Sequence, residues 1–241
     1  MSAPAESLDH PPEIAIGGGY YESKWVTEQL FRRAAKSMGL RTTSVRVGQV
    51  SGDQRIGGWS ASEWVPALVR ISERLGCIPS RDEVRGSPLR LSLLISNAPL
   101  RQDVTWVPVD VVASALLEMT GCDEPVLHIV SPRPVRWDTV VRPIAARLGL
   151  RLVPYAEWLT RVEESAANAH EHDAAHNLLA FFRDEGMRLA VSTEKAVRCS
   201  TALASMRPLR AEDGEKWVEF WRSIGFLQRK GTVQHCGLCP G

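Results

Sequence analysis

The sequence predicts an α/β protein, a parallel sheet covered by helices with a small helical subdomain after it. Two observations carry that prediction. Up to about residue 150, apolar stretches of strand length alternate with amphipathic stretches of helix length. From Leu150 onward the texture changes to helical patterns with aromatics on one face and polar connections between them.

Residues 1–13, rich in Pro, Ser and acidic side chains, read as a disordered lead-in. From Glu22 to Met38, Trp25, Val26, Leu30, Phe31 and Ala34 recur at helical spacing, and Gly39 supplies a C-terminal stop. "TTSVRVGQV" (42–50) then reads as a buried strand, punctuated by Gly48 and Gly52. In "WSASEWVPALVRISERLG" either Ser60 or Ser62 is suited to cap a helix whose buried stripe is Trp64, Val65, Leu68, Val69 and Leu75. "DVTWVPVDVVASALLEMTG" gives a short strand and a helix to about Met119. Asp110 stands where a cap is needed and is read as that rather than as an acid. "PVLHIVSPRP" (125–134) is a strand closed by prolines, and "WDTVVRPIAARLG" a helix stopped by Gly149. The expected domains are 14–150 for the sheet, 151–228 for the helical subdomain and 229–241 for a disordered tail, with no internal repeats.

Composition narrows the function classes. With 241 residues, 44% hydrophobic and 24% charged, the chain has room for one substantial core or a core plus a subdomain. A formal net charge of +1 gives no sign of a nucleic-acid partner. No apolar run approaches the roughly 20 residues that cross a bilayer, and "MSAPAESLDHPPEIAI" lacks the basic start and apolar centre of a secretory signal. A soluble, cytoplasmic protein without a membrane partner is the expectation. Five cysteines are scattered apart from "HCGLC" near the end, which lacks the second ligand pair of a zinc site and reads as incidental tail. The six histidines have no metal spacing, and "HEHDAAH" (170–176) reads as a polar loop or solvated helix face, so no metal is expected. Trp59 and Trp64 suit either a substrate channel or core packing.

The chemistry starts at "GGGYYESKWVTEQLF". Tyr20 and Lys24 stand four residues apart at the head of a helix, where i and i+4 share a face. An ammonium beside a phenol favours the phenolate and turns a group of pKa about 10 into an acid–base group usable near neutrality. The same lysine can hold a ribose hydroxyl of a nicotinamide cofactor. Alone, the spacing is common by chance.

In order along the chain, "GGGYYESKWVTEQLF", "VRVGQVSG", "EWVPAL", "WVPVD" and "HIVSPRP" give the sequence its context. From about Ile14 to Leu227 it resembles the C-terminal half of the thioester reductase domains of fungal non-ribosomal-peptide-synthetase-like enzymes and of aminoadipate and carboxylic acid reductases. These belong to the extended short-chain dehydrogenase/reductase group. The resemblance implies the C-terminal half of a Rossmann-like parallel sheet. It also implies NADPH as cofactor, and as substrate an acyl thioester on a phosphopantetheine carrier or the derived aldehyde. Tyr20 matches the family's catalytic tyrosine and Lys24 its lysine partner, both also facing the cofactor. Gly48 and Gln49 match the turn beside the nicotinamide, although a strand exit needing glycine accounts for them too.

Two departures follow. No G-x-x-G-x-x-G turn for a pyrophosphate occurs in the sequence, and the family's Ser or Thr upstream of the tyrosine has no counterpart. These absences put NADPH binding in doubt and raise the alternative of a truncated, inactive remnant or an accessory chain docking on a larger synthetase. The second departure is "VRGSPLRLSLLISNAPLRQ" (84–102), which interrupts the resemblance and reads as an inserted loop or a retained intron, its removal preserving the reading frame.

Overall fold

A computed structural model describes residues 6–17, 19–81, 103–168, 174–183 and 191–228. The inserted stretch 84–102, the histidine side chains of 170–176 and the tail with "HCGLC" lie outside the described residues. In chain order, a 3-10 turn (Pro12–Ile14) precedes α1 (Gly19–Met38), β1 (Ser44–Val47), β2 (Val50–Ser51), α2 (Trp64–Leu75) and β3 (Cys77–Ser80). Then come β4 (Asp103–Val104), β5 (Val107–Pro108), α3 (Val109–Met119), β6 (Val126–Ile129), β7 (Val135–Arg136), α4 (Trp137–Leu148) and β8 (Arg151–Pro154). Helices α5 (Tyr155–Asn168), α6 (Ala174–Arg183), α7 (Glu194–Cys199), α8 (Thr201–Ser205) and α9 (Ala211–Ser223) complete the described chain.

The chain divides into two compact units that interleave in sequence. One is built from Met1–Gln54, Pro88–Trp137 and Glu185–Leu209, the other from Arg55–Ser87, Asp138–Asp184 and Arg210–Gly241. The expected boundary at residue 150 does not coincide with this division. "RLVP", expected to open a helical region, is strand β8, because its alternating apolar positions pair it with β3.

In the first unit β1 runs parallel to β6, with Ser44 opposite Val126 and Val47 opposite Ile129, and β2 runs parallel to β5. The antiparallel pair β4–β7 adds Asp103 opposite Arg136. Parallel neighbours separated by helices are what the alternating pattern dictates. Its core is filled by Val107, Val111, Val112, Ala115 and Met119 around α3, Leu127 and Ile129 of β6, Ala196 of α7, Leu203 of α8 and Met206 just after it. Cys122 and Cys199 form a disulfide across this core, Cα to Cα 5.9 Å and 77 residues apart in sequence.

The second unit pairs β3 in parallel with β8, Cys77 opposite Arg151. Its core holds Val65, Leu68 and Val69 of α2 together with the fully buried Trp158, Trp217 and Trp221. The indole N–H groups of Trp158 and Trp221 donate to Ser72 Oγ and to the Trp59 carbonyl, both at 3.0 Å, which satisfies polar atoms that burial would otherwise penalise. Trp59 is therefore core, its ring edge-on to Trp217 at 4.9 Å between centroids. Trp64 is half-buried against Phe181. Gly214 lets α9 approach α4 closely, since a Cβ there would stand 2.6 Å from the Val140 carbonyl oxygen.

Several local expectations are corrected. The strand expected over 42–50 is broken at Gly48–Gln49 into β1 and β2, and β1 is only partly buried. The N-cap of α2 is Glu63, because Ser60 and Ser62 hydrogen-bond each other at 2.9 Å. Asp110 is no cap either. α3 begins at Val109, and the Asp110 carboxylate instead accepts from the Gln54 backbone N–H at 3.2 Å and side-chain amide at 3.0 Å. Residues 6–13 of the lead-in are held in place. The buried Glu6 carboxylate accepts from the backbone N–H groups of His128 (2.9 Å), Lys195 (2.6 Å) and Ala196 (3.1 Å). The stop at Gly39 is as expected, with φ of 67°.

Candidate functional site

Helix α1 delivers the tyrosine and the lysine. It begins at Gly19, so Tyr20 and Lys24 fall one turn apart on one face, and the Lys24 ammonium lies over the Tyr20 ring, 5.2 Å from its centroid. Both side chains are open to solvent, Tyr20 at 69% of its free exposure. Tyr21 packs edge-on against Tyr20 at 5.6 Å.

Gly48 and Gln49 form the break between β1 and β2. The Gly48 N–H donates to the Ile129 carbonyl at 2.9 Å, the Gln49 carbonyl accepts from the Val107 N–H at 3.0 Å, and the Gln49 side-chain amide donates to the Val50 carbonyl at 2.7 Å. A Cβ at Gly48 would stand 2.7 Å from Val130 Cγ1, just past β6, so glycine avoids a clash that Val130 would otherwise have to relieve. Packing therefore favours glycine at position 48 whether or not a ligand lies beside it.

Sequence reasoning passed over the group that joins these two elements. Glu28, one turn beyond Lys24, receives both ends of the Arg46 guanidinium, Nε at 2.7 Å and Nη2 at 2.6 Å. Arg46 stands on β1, two residues before Gly48. Its Nη1 lies 3.3 Å from His128 Nε2 on β6, and His128 Nδ1 lies 2.9 Å from the Ser192 carbonyl. A carbonyl only accepts, so Nδ1 carries the proton and Nε2 accepts from Arg46. Burial, opposed by the Ser192 carbonyl and reinforced by Arg46, holds His128 below its ordinary value of 6.5. The available signal was positional: Tyr20, Lys24 and Glu28 stand at i, i+4 and i+8, and Arg46 is a charge inside an apolar strand pattern.

The arrangement puts a phenol and an ammonium side by side and open to solvent at the head of α1, and a close-packed glycine turn between β1 and β2. Among the described residues no group of three His, Cys, Asp or Glu side chains is placed to hold a metal ion, and no helix is long and apolar enough to cross a membrane.

Comparison with known proteins shows what the chain is similar to. Residues 7–116 match the NAD-binding model described as male sterility protein. The chain is 30% identical over 252 residues to adenylate-forming reductase Nps10 of Heterobasidion annosum, covering 93% of this chain and 21% of that protein. It is 28% identical to the non-canonical non-ribosomal peptide synthetase ascB of Acremonium egyptiacum, covering 93% and 20%. Among solved structures it is similar to the terminal R domain of the myxalamid PKS-NRPS biosynthetic pathway, with a TM-score of 0.72, 26% identity and coverage of 95% of this chain and 55% of that one. The reductase domain of PhqB from Penicillium fellutanum shares the fold at a TM-score of 0.63. The chain thus spans about a fifth of the length of these curated relatives. The chain is thus similar to fungal adenylate-forming reductases and to the terminal R domain of a PKS-NRPS pathway, and residues 7–116 match the NAD-binding family described as male sterility protein.

Proposed function

We propose that the chain serves secondary metabolism as a thioester reductase, reducing an acyl thioester carried on a phosphopantetheine arm, or the aldehyde derived from it, with NADPH. The observation that carries this reading is the Lys24 ammonium over the Tyr20 ring, inside the segment that matches the NAD-binding family. In this reading Tyr20 is the acid, and Lys24 its electrostatic partner and a donor to the cofactor ribose. Gly48 and Gln49 lie beside the nicotinamide ring. The cofactor, when bound, supplies hydride to the acyl carbon. Tyr20 gives a proton to the carbonyl oxygen at that moment, and Lys24 stabilises the phenolate left behind. Return of that proton to Tyr20 as the carbon–sulfur bond breaks yields the aldehyde and the carrier thiolate, which takes up one proton from solvent, so the reaction balances with one hydride and one proton consumed.

The test is NADPH oxidation, followed by its absorbance, in the presence of an acyl-pantetheine thioester. Turnover by the wild-type chain that falls about 100-fold or more in Tyr20→Phe supports the assignment. NADPH binding without turnover, or turnover insensitive to Tyr20→Phe, removes the catalytic assignment of Tyr20. No NADPH binding leaves the accessory-chain reading in its place.

A further inference from the structure

We propose that Glu28 and Arg46 are positioning residues: a bidentate clamp that holds the Tyr20–Lys24 face of α1 at a fixed height and angle above the exit of β1. The claim rests on the reading of Tyr20 and Lys24 given above. Three observations carry it. First, α1 is 20 residues long and buries none of them fully, so apolar packing does little to fix it. Second, among the described residues its other polar side-chain contacts outside the helix run to the preceding segment, to residues 8–10 and to the Gly17 N–H, which donates to Glu22 at 3.0 Å. Trp25 Nε1 donates to the His10 carbonyl at 3.1 Å and Arg32 pairs with Asp9 at 2.7 Å, and neither ties the helix to a strand. The Glu28–Arg46 fork does, and Glu28 keeps only 15% of its side-chain exposure. Third, the guanidinium is itself held from behind by His128 Nε2, whose ring is fixed by the Ser192 carbonyl.

Geometry makes such a clamp directional. Two parallel N–H···O bonds fix a carboxylate in plane as well as in distance, which a single ammonium contact does not. At about 1.5 Å per residue, Lys24 lies roughly 6 Å and Tyr20 roughly 12 Å along the helix from Glu28. A small tilt at Glu28 is therefore magnified at Tyr20. Arg46 is two residues from Gly48, so the same side chain references the helix to the turn that faces the proposed nicotinamide position.

The test compares the full chain with its Glu28→Gln and Arg46→Lys variants, first without cofactor, by amide hydrogen exchange. Arg46→Lys keeps the charge and loses the fork. The clamp predicts that α1 amides exchange roughly tenfold faster in both variants while those of α3 and β6 keep wild-type rates. Unchanged α1 exchange in Arg46→Lys, or acceleration spread equally over α3 and β6, overturns it. Should Glu28→Gln fail to fold, Arg46→Lys carries the test alone. A second readout follows NADPH affinity, which the clamp expects to fall about tenfold in Arg46→Lys while the melting temperature of the unliganded chain is unchanged. A lower melting temperature with unchanged affinity overturns the positioning role. A wild-type chain that binds no NADPH overturns the reductase reading alone, and the exchange data then decide the clamp.

Discussion

His128 and Glu6 are two buried, ionisable residues of the first unit. Since the folded protein holds His128 below 6.5, the unfolded chain takes up a proton there that the folded chain resists. The contribution of His128 to stability is thus complete above about pH 6.5 and is lost progressively as pH falls toward the lowered folded value. Melts at pH 7.5 and 5.5 should show the loss, and His128→Gln should flatten the difference. Glu6 feeds one carboxylate to three backbone N–H groups. Glu6→Gln turns one of the two acceptor oxygens into a donor facing a backbone N–H, and should cost about 1–3 kcal/mol in denaturant unfolding. Neither residue drew notice in the sequence, because a lone glutamate in a Pro- and Ser-rich lead-in carries no pattern. Its importance comes from partners 122 and 190 positions away.

Among the elements, those set by local signals were legible. The helix over 137–148, stopped by Gly149, and the helix ending at Met119 follow from periodicity and glycine punctuation. Caps were not, because Ser60 and Ser62 take each other as partners and Asp110 takes Gln54, 56 residues away, which only the fold brings near. The pattern of α1 showed which face is apolar, yet Leu30 remains 61% and Phe31 51% exposed, since periodicity says nothing of what covers a face. The break at Gly48 was legible as punctuation, and its packing role was not. Gly48→Ala should lower stability by about 1–3 kcal/mol, with Val130→Ala recovering part of it, as read by paired thermal melts. Reducing the Cys122–Cys199 bridge should cost about 2–4 kcal/mol, and Cys122→Ser should make the chain indifferent to reductant.

At the scale of the molecule, two interleaved units each carry a parallel strand pair and a core, and the first of them holds every residue assigned to the site. Tyr20, Lys24, Gly48 and Gln49 were all named from sequence, because several short motifs in order carry a family resemblance that the tyrosine–lysine spacing alone, common by chance, does not. Glu28, Arg46 and His128, which link them, come together only through strand pairing. The central claim is that this unit receives a nicotinamide dinucleotide. Its most direct test is the melting temperature of the full chain against NADPH concentration. The account predicts a saturable rise, equivalent to about 2.7 kcal/mol at a hundredfold excess over Kd. An unchanged melting temperature at millimolar NADPH would contradict it.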